Sequence, residues 1–342
     1  MNKKQVYKYW LTIIGLTFFA ILIFFASLHF GVYKITFAQI VSVFSAKLNL
    51  IQNNLPANIE LIVWDVRFKR TFIAFLVGSA LSVCGVVFQS LLRNPLADPH
   101  IIGVSSGGAL GAVLAAVCGA PLLSHYSFGI PLFSFLGSLF ALWLVYSLSK
   151  RKGVLSLYSL LLVGVIVNSF FVSIVIFLES IMRADELMNT FNWLLGSFSY
   201  SDFPLALFAG CVFAVGIILI CMNARALNIL TLGADKAKLM GVNVDRVVKT
   251  CFVAASVMTG FSVALSGLIG FVGLVVPHCV RMLFGSDNRI VIPASVLAGG
   301  TFMIIADTVA RTIMQPQELP VGVVTSFVGA PFFIYILKRR EV

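Results

Sequence analysis

The chain has 342 residues, of which 60% are hydrophobic and 11% are charged. Soluble globular domains are about 45–50% apolar and about 25% charged, so this composition excludes a soluble domain, and it excludes a disordered chain as well. The sequence is that of a polytopic membrane protein. In such a protein a net charge of +11 reflects the placement of loop charges and does not indicate nucleic-acid binding.

Hydrophobic runs long enough to cross a bilayer recur along the sequence. A helix that spans about 30 Å of hydrocarbon needs roughly 20 largely apolar residues. Ten such runs are bounded by charged residues, glycine or proline: Trp10–Phe30, Thr71–Leu92, Ile101–Gly119, Pro131–Ser149, Leu155–Leu178, Pro204–Met222, Thr250–Gly267, Gly270–Phe284, Val291–Val309 and Val321–Leu337. A single helix over Thr250–Phe284 would be about 52 Å long, so the sequence predicts a break at Ser266–Gly270.

The charged residues between these spans predict their orientation. With both termini in the cytoplasm, 17 of the 24 basic residues fall inside and 7 fall outside, which gives a net charge of +12 inside and −1 outside. Cytoplasmic loops are enriched in lysine and arginine, so this orientation is favoured. The sequence therefore predicts one all-helical membrane domain over residues 1–342 with both termini cytoplasmic.

Two segments between spans are predicted to lie outside. Gly31–Arg70 is interpreted as an outer loop with an interfacial piece, because its apolar residues recur at near-helical spacing. It ends in a basic cluster, Arg67 to Arg70, which either snorkels at a helix start or contacts an acidic surface on an extracytoplasmic partner. Glu179–Phe203 is predicted to contain a short helix or re-entrant piece, with Trp193 as an interface anchor.

The longest cytoplasmic loop is Asn223–Lys249. It contains a predicted short helix that begins near Thr231 as an N-cap, or with Asp235 as a first-turn acid, and that stops at Gly241. A helix of about two turns is not stable alone in water, so it needs a surface to pack on. That surface is either the chain's own membrane domain or a cytoplasmic partner.

The sequence lacks several features that would indicate other functions, and this narrows the class of membrane protein. No carboxylate lies near the middle of a predicted span, which argues against an ion-coupled carrier. No Gly-Lys pair occurs, so the chain lacks a phosphate-binding loop, and any ATPase has to reside on another chain. Ser105, Ser106 and His278 raise the alternative of an intramembrane protease, but the G-x-S-G form is missing.

Three motifs carry a resemblance to a known family. They are Arg93-Asn94-Pro95-Leu96-Ala97-Asp98-Pro99 followed by Gly103-Val104-Ser105-Ser106-Gly107, then Gly270-Phe271-Val272-Gly273-Leu274-Val275-Val276-Pro277-His278, and finally Glu318-Leu319-Pro320-Val321-Gly322-Val323-Val324-Thr325 with Gly329-Ala330-Pro331-Phe332-Phe333. In this order and spacing the chain resembles the membrane permeases of bacterial ABC importers for iron–siderophores, haem and vitamin B12. The resemblance covers nearly the whole chain.

The resemblance implies a fold and a set of partners. The fold is that of the vitamin B12 importer permease, with ten transmembrane helices in the bacterial inner membrane. The partners are a second permease subunit (the same or a related chain), two cytoplasmic ABC ATPase subunits, an extracytoplasmic substrate-binding protein and membrane lipid. ATP and Mg²⁺ would bind the ATPase subunits, and this chain would hold no catalytic residue, cofactor or metal.

The resemblance also assigns roles to residues. Arg67, Arg70 and Arg311 correspond to arginines that dock the binding protein, although Lys69 replaces the family's proline. We therefore expect exposed positive charge at these positions. The coupling residues toward the ATPase are Leu230, Leu232, Gly233, Ala234, Asp235, Ala237, Leu239 and Gly241, and the translocation path is lined by Gly164, Asn168, Thr325 and Ser326.

The expected function is import of an iron–siderophore or related metal chelate by alternating access driven by ATP. Haem, vitamin B12 and an oxyanion remain open as cargo. An ion-coupled secondary transporter and an intramembrane enzyme are the rival classes.

Overall fold

The computed structural model describes residues 3–50, 55–123, 129–151, 154–155, 157–199 and 202–340. Nearly all of them are helical. The helices are α1 (Lys3–His29), α2 (Phe37–Lys47), α3 (Ala57–Glu60), α4 (Lys69–Leu92), α5 (Val104–Leu123), α6 (Gly129–Leu148), α7 (Leu157–Ile181), α8 (Ala184–Leu194), α9 (Phe203–Met222), α10 (Ala224–Leu230), α11 (Ala234–Leu239), α12 (Val244–Ser266), α13 (Val272–Phe284), α14 (Asn288–Thr312) and α15 (Val321–Arg340). Two-residue strands, β1 (Lys150–Arg151) and β2 (Val154–Leu155), pair between α6 and α7.

Each of the ten predicted spans coincides with a helix. Of the described helices, seven are long and apolar enough to cross a membrane, judged by length and composition: α1, the helix that runs through α3 and α4, α6, α7, α9, α12 and α14. Three shorter apolar helices, Val104–Val117, Val272–Phe284 and Val321–Tyr335, lie on the third, eighth and tenth predicted spans. The all-helical membrane architecture predicted from the sequence is thus confirmed.

The predicted break between the seventh and eighth spans is present. The helix α12 ends at Ser266 and α13 begins at Val272. Gly267 has a φ of +68°, and a Cβ at this position would lie 2.1 Å from the carbonyl oxygen of Trp193. Only glycine fits such a backbone and such a close approach, so the chain turns here instead of continuing as one helix.

The interpretation of residues 31–70 as an outer loop is wrong in part. The near-helical pattern forms α2, but Ala57–Leu92 is one continuous helix, which passes through a π-helical segment at Leu61–Phe68. The helix that carries the second span therefore begins at Ala57 and not at Thr71. Charged residues within 57–70 interrupt the apolar pattern, whereas in the structure the helix continues through them, and the rings of Trp64 and Phe68 stack with their centroids 4.6 Å apart. Residues 51–54 and 200–201, which belong to the two predicted outer segments, lie outside the described part of the chain.

The helix α4 lies at the centre of the bundle and packs against α12, α13 and α14. Glycines bring its backbone against its neighbours, since a Cβ at Gly78 would lie 2.3 Å from the carbonyl oxygen of Gly299. The glycine face of α5 acts in the same way, because a Cβ at Gly111 would lie 2.0 Å from the carbonyl oxygen of Phe133 on α6. Small residues allow this close helix approach in membrane proteins.

Candidate functional site

Four charged side chains meet at the end of the bundle that is predicted to face outward. We call Arg70, Asp307, Arg311 and Glu318 the outer ionic cluster. Nη2 of Arg70 lies 2.8 Å from Oδ1 of Asp307, and its Nη1 lies 2.7 Å from Oε2 of Glu318. Nε of Arg311 lies 3.2 Å from Oδ2 of Asp307, as expected for residues four apart on a helix. Asp307 is therefore shared by two arginines, and only 1% of its surface is exposed.

The third predicted docking residue, Arg67, lies apart from these ion pairs. It is buried and donates hydrogen bonds to the carbonyl oxygens of Leu28 at 2.7 Å and His29 at 3.1 Å, and to that of Tyr33. These contacts hold the end of α1 and the chain after it against the long helix. Its described partners are backbone groups, so Arg67 has a structural task in this conformation.

The expectation of exposed positive charge at the three arginines is wrong for this structure. All three side chains are buried, those of Arg67 and Arg70 on the helix that begins at Ala57 and that of Arg311 on α14. A buried guanidinium needs carboxylates or carbonyl oxygens around it, and the chain supplies them. The sequence reasoning missed Glu318 as a partner of Arg70, although Glu318 opens the motif that leads into α15.

Glu318 is the accessible member of the outer ionic cluster, with 43% of its side chain exposed. Its Oε2 accepts hydrogen bonds from Arg70 and from the hydroxyl of Ser199, at 2.7 and 3.1 Å. Partial burial by itself would raise the pKa of Glu318, but the hydrogen bond and charge of Arg70, together with Ser199, outweigh it and lower the pKa below its usual value. Glu318 is thus held ionised against a buried arginine.

At the opposite end, residues Leu230–Gly241 form a two-sided structure that we call the coupling segment. The side that faces the bundle packs on it through Leu230 and Ala237, which are both buried. The opposite side presents Leu232, Leu239 and Met240 to solvent, and Leu239 is 89% exposed. Packing on the chain's own membrane domain is therefore seen for one side of the segment, and contact with a cytoplasmic partner stays a prediction for the other side.

The details of the short helix α11 agree with most of the sequence prediction. Asp235 lies in its first turn, and Gly241 follows its end with a φ of +80°. Thr231, however, is not the N-cap, because its hydroxyl donates to the carbonyl oxygen of Asn228 at the end of α10. Gly233 takes the N-cap position, with a φ of +120° that favours glycine.

An open groove of about 520 Å³ lies beside the predicted path residue Ser326. It is lined by Leu194, Leu195, Leu268, Gly270, Gly322, Val323, Ser326, Phe327, Ala330 and Pro331. The hydroxyls of Thr325 and Ser326 donate to the carbonyl oxygen of Gly322 at 3.0 and 2.8 Å, so their own helix satisfies them. The groove is consequently an almost wholly apolar surface.

The other two predicted path residues lie elsewhere. Gly164 and Asn168, on α7, pack beside Gly103, where an added Cβ would lie 3.5 Å from the carbonyl oxygen of Gly164. A hydrogen bond of 2.9 Å from the His100 ring to the carbonyl oxygen of Ile269 links this neighbourhood to the groove. No described contact joins Gly164 or Asn168 directly to Thr325 or Ser326.

Comparisons with known proteins agree with this architecture. Residues 19–339 match the FecCD transport family. The chain is 39% identical over 284 residues to the hemin transport system permease protein HmuU of Yersinia pestis, with 82% of this chain and 84% of that protein covered. It is 34% identical over 337 residues to the iron(3+)-hydroxamate import system permease protein FhuG of Bacillus subtilis, with 97% and 98% covered.

A solved structure shows the same fold. It is described as an inward-facing conformation of a metal-chelate type ABC transporter, and it superposes with a TM-score of 0.83 at 30% identity over 96% of this chain and 98% of that one. The chain therefore belongs to the FecCD transport family of ABC transporter permeases.

Proposed function

We propose that this chain is the permease subunit of an ATP-driven importer that carries an iron–siderophore, or a related metal chelate, across the bacterial inner membrane by alternating access. The observation that carries the proposal is the coupling segment, which is anchored to the bundle on one side and exposes leucine and methionine on the other. Exposed apolar clusters on otherwise well-packed proteins mark interaction surfaces. An ABC ATPase, with ATP and Mg²⁺ bound to it, is the partner expected at this surface.

The outer ionic cluster supports docking of an extracytoplasmic binding protein. Glu318 holds Arg70 from its exposed side, so a carboxylate on an approaching partner would compete for the same guanidinium. Arg67 and Arg311 lie beneath Arg70 and hold the ends of the neighbouring helices in place. In this proposal Arg70 exchanges the carboxylate of Glu318 for a carboxylate on the binding protein, so docking does not require an unpaired arginine.

The apolar groove supports a path for a bulky cargo whose metal is already enclosed by its chelator. Thr325 and Ser326 place no free hydroxyl in it, and a second permease subunit would complete the path opposite Gly164, Asn168 and α15. Ion coupling is disfavoured because Asp307, the acid buried in α14, is paired with two arginines near the outer end of the helix and does not lie at its middle. Iron–hydroxamate is favoured as cargo by the nearly full-length match to FhuG, while haem, vitamin B12 and an oxyanion remain alternatives.

Reconstitution tests this function. The complex is purified from its native host through a tag on this chain and placed in liposomes that enclose ATP. Uptake of ⁵⁵Fe-labelled hydroxamate, haemin and cobalamin is then measured with and without the binding protein. We expect uptake of the iron chelate that requires both ATP and the binding protein, and uptake driven by an ion gradient without ATP would overturn the proposal.

A further inference from the structure

One side chain of α10, the helix before the coupling segment, makes hydrogen bonds to a distant part of the fold. Nδ2 of Asn228, on α10, donates to Oδ1 of Asp287 at 2.6 Å, and its Oδ1 accepts the backbone N–H of Asn288 at 2.8 Å. Both ends of the amide are used, and both bonds end at the start of α14, about 60 residues away in sequence. Asparagine suits this position because one side chain supplies a donor and an acceptor.

The bonds at Asp287 are reinforced by charge. Burial alone would raise the pKa of Asp287, but the guanidinium and backbone N–H of Arg289, with the amide of Asn228, lower it below its usual value. Asp287 also caps α14 through the N–H of Arg289 at 3.0 Å. Asn228 therefore bonds to an ionised carboxylate that is itself fixed to the first turn of α14.

The helix α14 is in turn fastened to α4 along its length. At the inner end the amide of Asn288 donates to the hydroxyl of Ser90 at 3.2 Å, with both residues buried. In the middle, Ser79 donates to the carbonyl oxygen of Val296 at 2.7 Å, close to the backbone contact of two glycines described above. At the outer end Arg70 pairs with Asp307.

We call these two helices the α4–α14 pair. The three links, one at each end and one in the middle, leave little freedom for one helix to slide along the other. The span from the inner link to Asp307 covers about 29 Å of helix at 1.5 Å per residue. Tightly packed helices shift as units and do not deform continuously. A displacement at the inner end of the α4–α14 pair therefore moves both helices together and reaches the outer ionic cluster.

We propose that Asn228 is a positioning residue that fastens the coupling segment to the α4–α14 pair, and that this bridge carries movement of the segment to the outer ionic cluster. The inference rests on the proposed function, since it takes the coupling segment as the surface on which the ATPase acts. In the opposite direction, docking at the outer cluster reaches the coupling segment through the same bridge. Reciprocity of this kind is required when two sites are coupled through one element.

The test replaces Asn228 and measures coupling in the complete complex. Asn228→Ala removes both hydrogen bonds but leaves the exposed side of the coupling segment unchanged. We expect the same amount of ATPase to copurify, while the chelate imported per ATP hydrolysed falls about fivefold or more and the binding protein no longer stimulates hydrolysis. A merely structural role would lower yield and melting temperature and leave this ratio unchanged.

Two further variants keep the outcome decisive. Asn243→Ala is the matched control, because Asn243 lies in the same loop and caps α12 through the N–H of Arg246 at 3.0 Å. It should leave the ratio as in the wild type. Asn228→Asp keeps the acceptor for the backbone N–H of Asn288 but sets a second carboxylate against Asp287, so it should lower the ratio as Asn228→Ala does.

The possible failures are distinguishable. A wild-type ratio in Asn228→Ala or in Asn228→Asp would overturn the bridge while the importer itself still works. A wild-type complex that imports nothing with ATP and binding protein overturns the proposed function, and the bridge with it.

Discussion

The two ends of this molecule differ in which side chains they bury and which they expose. At the outer end, charged groups are drawn into the bundle and paired, with Arg70 and Asp307 almost inaccessible. At the inner end, Leu232, Leu239 and Met240 lie on the surface. Proteins in water usually bury leucine and methionine and leave arginine and aspartate outside, so both ends depart from the ordinary pattern.

The difference indicates two kinds of interface. Exposed apolar side chains are tolerated on a surface that a partner covers most of the time, which fits a permanently bound ATPase. Charges that are satisfied within the chain leave the outer surface stable when no partner is present, which fits a binding protein that comes and goes. The following variants break one end or the other and so test this contrast.

The largest effect is expected from Asp307→Asn. This change leaves Arg70 and Arg311 buried without the carboxylate that they share, and breaking a buried ion pair typically costs about 3–5 kcal/mol. The melting temperature of the detergent-solubilised permease should fall strongly. Asp65→Asn is the control, because the Lys69–Asp65 pair is exposed and should contribute less than about 1 kcal/mol. Equal losses in the two variants would show that the outer ionic cluster does not stabilise the fold.

A smaller effect, confined to assembly, is expected from Leu239→Glu. Leu239 is 89% exposed, so the isolated permease should keep its melting temperature. A charge buried against an apolar ATPase surface should weaken ATPase association about tenfold or more, measured by titrating the ATPase onto immobilised permease. Leu48→Glu makes the same change at an exposed leucine predicted to lie on the other side of the membrane. If both variants bind the ATPase like the wild type, the coupling segment faces something else.

The sequence predicted most of the helices but not the environment of the charges. Apolar runs and glycine positions are local signals, so the break at Ser266–Gly270 could be derived from them. The pairing of Arg70 with Glu318 joins residues 248 positions apart, and no local pattern carries that information. Charged residues mark the ends of spans in a hydropathy pattern, so the pattern predicts a loop where the helix has already begun at Ala57.

The two sides of α11 show the same limit at short range. A hydrophobic pattern assigns the buried side to the larger apolar residue, yet Ala237 is buried and Leu239, two positions later, is exposed. Two positions along an α-helix correspond to about 200° of rotation, so Ala237 and Leu239 lie on opposite sides of α11. The sequence could identify the segment but not which of its sides remained available for a partner.

The smallest effect, and the sharpest test of the outer end, comes from Glu318→Gln. Glu318 has a lowered pKa, so its contribution to stability is present above the ordinary pKa of a glutamate and is lost as the pH falls through the lowered value. In Glu318→Gln this acid-side loss should disappear from the pH dependence of the melting temperature, with little change at neutral pH because the group is partly exposed. Glu60→Gln, at the partly exposed Lys47–Glu60 pair, is the matched control.

The same variant decides whether Glu318 competes with a docking partner. With a neutral side chain at position 318, Arg70 keeps Asp307 but has more of its charge free toward the surface, so an acidic binding protein should dock a few times more tightly. Surface plasmon resonance with the permease in nanodiscs measures this change. Weaker docking in Glu318→Gln would mean that the carboxylate is itself part of the docking surface. The outer end would then present acid to its partner, and the arginines below would serve only to hold that acid in place.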